Sequence, residues 1–74
     1  MGIKIEFKSD ERKNINNFML AMFKQDFQYD LHIRRLHCQN SGCIMIDTSH
    51  LRECENLIKD CNVDITSTAM NEKM

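Results

Sequence analysis

The sequence predicts an α+β fold: one four-stranded antiparallel sheet with two helices on one of its faces. Three observations carry this. Ile3, Ile5 and Phe7 alternate with Lys4, Glu6 and Lys8, the two-residue period of a strand with one buried and one wet side. Two later stretches, around Phe18 and around Cys54, repeat their apolar residues at helical spacing. Between them, Leu31 to Thr48 (LHIRRLHCQNSGCIMIDT) sets two apolar arms about a polar segment, the pattern of a β-hairpin.

Taken in order, Gly2 to Lys8 forms the first strand. Ser9 or Asp10 is placed to cap the first helix, with Asp10 and Glu11 in the first turn, where the helix dipole favours negative charge. Arg12 stands where a capping box needs Glu or Gln, so the box is incomplete. Ile15, Phe18, Met19, Met22, Phe23 and Phe27 make one apolar stripe, read as the main core helix rather than a ligand box. Leu20 and Ala21 lie off the stripe, where they extend the buried arc or meet a second subunit.

The hairpin turn is expected at Gln39, Asn40, Ser41 and Gly42, residue types that suit turn geometry. Leu31 and Ile33 share one phase while Leu36 and Cys38 share the other, and a bulge at Arg34 and Arg35 would bring all four to one face. Ile44 and Ile46 are expected in the core. Thr48 or Ser49 then caps a second helix whose Leu51, Cys54, Leu57, Ile58 and Cys61 share one side, and Asn62 ends it by taking the left-handed conformation. Val63, Ile65, Ser67 and Ala69 alternate with Asp64, Thr66 and Thr68 in a last strand. Residues 1–70 make one domain, and the polar residues 71–74 are expected to be a disordered tail. Strand, helix, strand, strand, helix, strand resembles the ferredoxin-like arrangement, an architecture that carries no function by itself.

Composition narrows the function classes. Ten basic and eleven acidic residues leave a net charge of -1, so no long-range field draws the molecule to nucleic acid or anionic lipid. No apolar run is long enough to span a bilayer and no secretory signal pattern is present, which points to the cytoplasm and to reduced cysteines. The two glycines, Gly2 and Gly42, are far apart, so there is no glycine-rich phosphate loop.

Cysteine and histidine are the residues with chemistry to offer. Cys38 and Cys43 have the spacing of half a zinc site, but Cys54 and Cys61 lie about 10 Å apart along a helix axis and cannot grip one ion together. A looser set of Cys38, Cys43, Cys61 and His37 is conceivable, although His37 and Cys38 are strand neighbours that point to opposite faces. His50 sits one turn before Cys54, and Cys38 lies near Arg34 and Arg35, settings that can activate a thiol. Reduced cysteines acting as small hydrophobes remain the preferred reading, so no catalytic residue, metal ligand or cofactor is nominated.

The sequence therefore points to binding. The side of the sheet away from the helices is expected to show Lys4, Glu6, Lys8, Cys43, Met45, Asp47 and Thr66, a mixed surface suited to another protein. Lys4, Glu6, Arg34, Arg35, His37, Met45 and Asp47 are the nominated contact residues for a partner protein, with a second copy of this chain an equally open occupant. By analogy with small stand-alone chains, including phage-borne inhibitors of host machinery, the role is accessory, regulatory or inhibitory. The alternatives are nucleic-acid binding through the cluster His32, Arg34, Arg35 and His37, and a zinc-binding or thiol-reactive protein. The first lacks aromatic residues on the open face for base stacking. In the bland reading of the same cluster, Arg34 pairs with Asp47 across the hairpin.

Overall fold

A computed structural model describes residues 2–36 and 39–71 of the chain, the side chains of Arg35, Leu36, Gln39 and Asn71 excepted. The elements are β1 (Gly2–Ser9), α1 (Arg12–Phe23), β2 (Tyr29–Leu36), β3 (Gln39–Asp47), a single 3-10 turn (Thr48–His50), α2 (Leu51–Asp60) and β4 (Asp64–Asn71). The strands form one antiparallel sheet in the order β2-β3-β1-β4. With both helices on one side, this is the ferredoxin-like α+β fold.

The core follows from the period of β1. Ile3, Ile5 and Phe7 are buried, as are Ile44 and Ile46 of β3, and against them pack Ile15, Phe18 and Met22 of α1 and Cys54 and Ile58 of α2. The Phe7 and Phe18 rings meet edge to face, 5.2 Å between centroids at 71°. That geometry contributes about 0.5–1.5 kcal/mol beyond the area the rings bury. Phe23, assigned by its spacing to the core stripe, is instead 76% exposed, and Leu20 beside it is 60% exposed. Both sit on the flank of α1 that rotates out of the sheet's reach, because a helix laid on a sheet buries only part of its circumference.

The helix ends differ from the expected caps. Glu11, not Ser9 or Asp10, holds the N-cap position of α1, with no side-chain cap and no acidic residue in the first turn. Ser9 ties the strand end to the helix instead. It is buried, and its Oγ accepts hydrogen bonds from the Glu11 N–H at 3.2 Å and from Asn14 Nδ2 at 3.3 Å. Asp47, rather than Thr48 or Ser49, caps the 3-10 turn that leads into α2; its Oδ2 accepts from the Ser49 N–H at 3.1 Å and from Ser49 Oγ at 2.6 Å, and α2 itself starts after His50 without a side-chain cap. At the other end, Asn62 adopts φ 60°, as expected. The Val63 N–H donates to the Ile58 carbonyl and the Asn62 N–H to that of Lys59, the paired bonds of a Schellman motif.

The hairpin departs most from expectation. Gln39, Asn40, Ser41 and Gly42 form no turn; they are the first residues of β3, paired with Leu36, Arg35, Arg34 and Ile33 and, from Asn40 onward, with β1 as well. The β2–β3 register is unbroken from Tyr29–Ile46 to Leu36–Gln39, so there is no bulge at Arg34 and Arg35. The connection falls at His37 and Cys38, outside the described residues. The bulge lies instead on β4, where the register against β1 shifts between Glu6 and Phe7 and leaves Thr66 as the extra residue. It turns the expected alternation over: Thr68 and Met70, opposite Ile5 and Ile3, join Ile65 on the helix side, while Ser67 and Ala69 go with Glu6 and Lys4. Asn71, expected to begin the tail, pairs with Gly2 as the last residue of β4.

Gly42 explains why a turn-forming residue sits inside a sheet. It has no positive φ. A Cβ there would lie 2.3 Å from the His32 carbonyl oxygen and 3.1 Å from both Ile33 Cδ1 and Phe7 Cζ. Close approach of backbone and rings therefore requires the missing side chain. Gly42→Ala is expected to destabilise the fold by about 1–3 kcal/mol, the usual cost of overpacking. Urea unfolding should show a lower midpoint with an unchanged slope, and a wild-type midpoint would refute the close approach.

Candidate functional site

On the side of the sheet away from the helices, cross-strand register lines the outward residues up in rows. Asp30, Met45, Lys4 and Ala69 make one row, His32, Cys43, Glu6 and Ser67 the next, and Arg34, Ser41, Lys8 and Asp64 the third. Their middle forms a shallow concavity of about 690 Å³. Cys43 and Met45, both half-buried, line its floor, and Lys4, Glu6, Lys8, His32 and Arg34 stand around them. Ser41 and Gly42 also line it, leaving little side-chain bulk on that stretch of β3.

The nominated residues divide accordingly. Lys4 and Glu6 are on this face and form an ion pair of 3.5 Å, with Met45 and Arg34 beside them. Arg35 takes the register position opposite Asn40, one residue out of phase with Arg34, and its side chain is not described. His37 lies outside the described residues. Asp47 stands at the far end of β3 as a helix cap; the hydrogen bonds from Ser49 hold its carboxyl below the usual carboxylate range. Arg34 is opposite Ser41, six residues along β3, about 20 Å from Asp47 at strand rise, so the two do not pair. Ser41 and Gly42 were hidden by their turn-forming composition; the continuation of alternation from Ile46 and Ile44 back through Gly42 is the signal that places them in the strand.

Of the thiol arrangements, those that include Cys38 lie outside the described residues. Cys43 pairs with Glu6 and His32 on the open face, whereas Cys61 packs against the core on the helix side, so the sheet stands between two members of the looser zinc set. Among the described residues, no three of His, Cys, Asp and Glu come together as metal ligands. Burial, with the Glu55 charge added, pushes the Cys54 thiol up to about 12, and burial with Asp60 raises Cys61. Neither supplies a thiolate at neutral pH. His50 meets Phe27 instead, its ring stacked at 4.1 Å and 8°, and Phe27 in turn meets Tyr29 edge-on at 6.5 Å. Its Nδ1 is buried with no hydrogen-bond partner, Glu53 being 3.9 Å away. This aromatic group closes the gap between the α1 exit and the start of α2. Helical spacing could not show it, because Phe27 lies beyond the end of α1.

The fold and the open face define a small ferredoxin-like α+β domain with one uncovered sheet surface. No protein-family model and no curated protein matches the chain. Among solved structures it is similar to the cytoplasmic N-terminal domain of subunit I, homolog of subunit a, of V-ATPase, with a TM-score of 0.71 at 13% identity over 86% of this chain. The chain spans 22% of the length of that protein. It is also similar to the de novo designed protein Foldit4, with a TM-score of 0.64 at 7% identity over 96% of this chain and 97% of the design. Identities this low show a shared fold only. Among the described residues, no helix is long and apolar enough to cross a membrane.

Cys54 gives the fold a pH dependence of definite sign. Below pH 9.0 the thiol is protonated folded and unfolded; between 9.0 and about 12 it ionises only in the unfolded chain, so its contribution to stability is lost as pH rises. The wild-type urea midpoint is expected to fall across that interval more steeply than the midpoint of Cys54→Ala. Parallel slopes would show that Cys54 is not sequestered.

Proposed function

We propose that this protein is a cytoplasmic accessory or regulatory module that acts by binding another protein through the helix-free face of its sheet. One observation carries the proposal: the concavity of about 690 Å³ on that face, with Cys43 and Met45 at its floor and a polar rim. An apolar centre inside a polar frame is the anatomy of a protein–protein contact. Lys4, Glu6, Arg34 and Met45 are the expected contact residues, joined by Lys8, His32 and Ser41.

A second reading has one observation in its favour. Lys8 and Arg34 flank Ser41 at two strand spacings, about 9.5 Å, and among the described residues neither has a carboxylate within 4.0 Å. Such a pair suits a phosphate. Against it, the described part of the face has no aromatic ring for a base, since Phe7 is buried on the other side, and Glu6, Asp30 and Asp64 would repel a continuous phosphate backbone.

Met45→Lys, which puts a charge on the floor of the hollow, is expected to abolish capture of a partner from extracts of the native cell at moderate salt. Leu20→Ser, on the exposed flank of α1, should retain it, with the circular dichroism of both variants unchanged. Equal capture by the two variants would sink the open-face reading. Binding that falls steeply with salt and with Arg34→Ala would favour nucleic acid instead.

A further inference from the structure

The two edges of the sheet are protected very differently. At one, β2 (YDLHIRRL) carries Asp30, Arg34 and Arg35, charges that keep a foreign strand from adding. At the other, β4 (DITSTAMN) has no charge from Ile65 to Asn71, and residues 66–70 are all exposed. The other uncharged run in the sheet, Gln39 to Ile46, lies in β3, shielded between β1 and β2. Beyond the bulge at Thr66, Ser67 to Asn71 keep regular register with β1, so the outer rim of β4 there presents a straight ladder of backbone donors and acceptors. Met70, on the helix side, is 55% exposed, uncovered by α2.

We infer that β4 pairs antiparallel with β4 of a second copy of this chain, joining the two sheets into one of eight strands. The strand's composition selects a copy of itself as the occupant. Thr, Ser and Ala opposite one another repel nothing, and Thr–Thr and Thr–Ser neighbours are favourable cross-strand pairs. A two-fold axis perpendicular to the sheet keeps the helices of both copies on one side, where each Met70 meets the second copy instead of water. Edge pairing of this length buries little surface, so the dimer is weak and reversible. If the docking face proposed above is right, the dimer presents two such faces side by side and binds a repeated partner with avidity. The pairing itself does not depend on that reading.

Sedimentation equilibrium of the full chain from micromolar to millimolar concentration tests it, with amide hydrogen exchange at the same concentrations. A concentration-dependent dimer is expected, with protection rising at Ser67 to Met70 and unchanged in β2. Thr68→Lys, which sets like charges against each other across the axis, should weaken the dimer by about tenfold or more. Its far-ultraviolet circular dichroism and dilute-solution urea midpoint should match wild type, which separates loss of pairing from loss of folding. A wild-type monomer throughout the range overturns the inference. So does a dimer unaffected by Thr68→Lys, or one abolished by Phe23→Ser, which would place the contact on α1. None of these outcomes bears on capture of a partner protein by the open face.

Discussion

Burial of one side of the sheet beneath two helices is the constraint on which everything else in this molecule rests. Ile3, Ile5 and Phe7 of the central strand, with Ile44 and Ile46 beside them, exclude water only because Ile15, Phe18, Met22, Cys54 and Ile58 descend on them. The two helices supply one such layer. Covering one side leaves the other side of the sheet uncovered by helices.

The same packing sets the surroundings of Cys54 and separates it from Cys43. Cys54 is part of the hydrophobic layer and its thiol is held neutral by burial, while Cys43 faces outward in a row with Glu6 and His32. Cys43 and Cys61, two members of one candidate set in the sequence, are separated by the thickness of the sheet. A hollow with a polar rim and an edge strand uncharged from Ile65 onward are the features on which binding is proposed. A segment of a V-ATPase subunit domain and a designed protein share the architecture while differing from this chain at most positions.

Much of the architecture was legible because it depends on periodicity. The alternation in β1, the stripe of α1 and the apolar side of α2 each reflect which residues must avoid water, and the residues those periods select are buried or packed against the core, Phe23 excepted. Lys4, Glu6 and Met45 were placed on the open face by the same logic. Local preference misled where tertiary pairing competed with it. Asn40, Ser41 and Gly42 have turn-forming side chains, but β1 extends far enough to pair with them, and Gly42 is needed where Phe7 and Ile33 crowd the backbone.

By itself, then, the sequence determined the order of elements, the central members of the core and the side of β1 that meets water, because apolar residues recurring at a fixed period share the face that has to avoid water. Only the tertiary structure decided where β2 turns into β3, which phase β4 follows after Thr66, and that Asp47 caps a helix instead of meeting Arg34. The physical reason is common to all three. Register between strands is fixed by the summed hydrogen bonds and contacts of residues distant in the chain, and a shift of one position, which no local window can detect, exchanges every side chain between the buried and the exposed face.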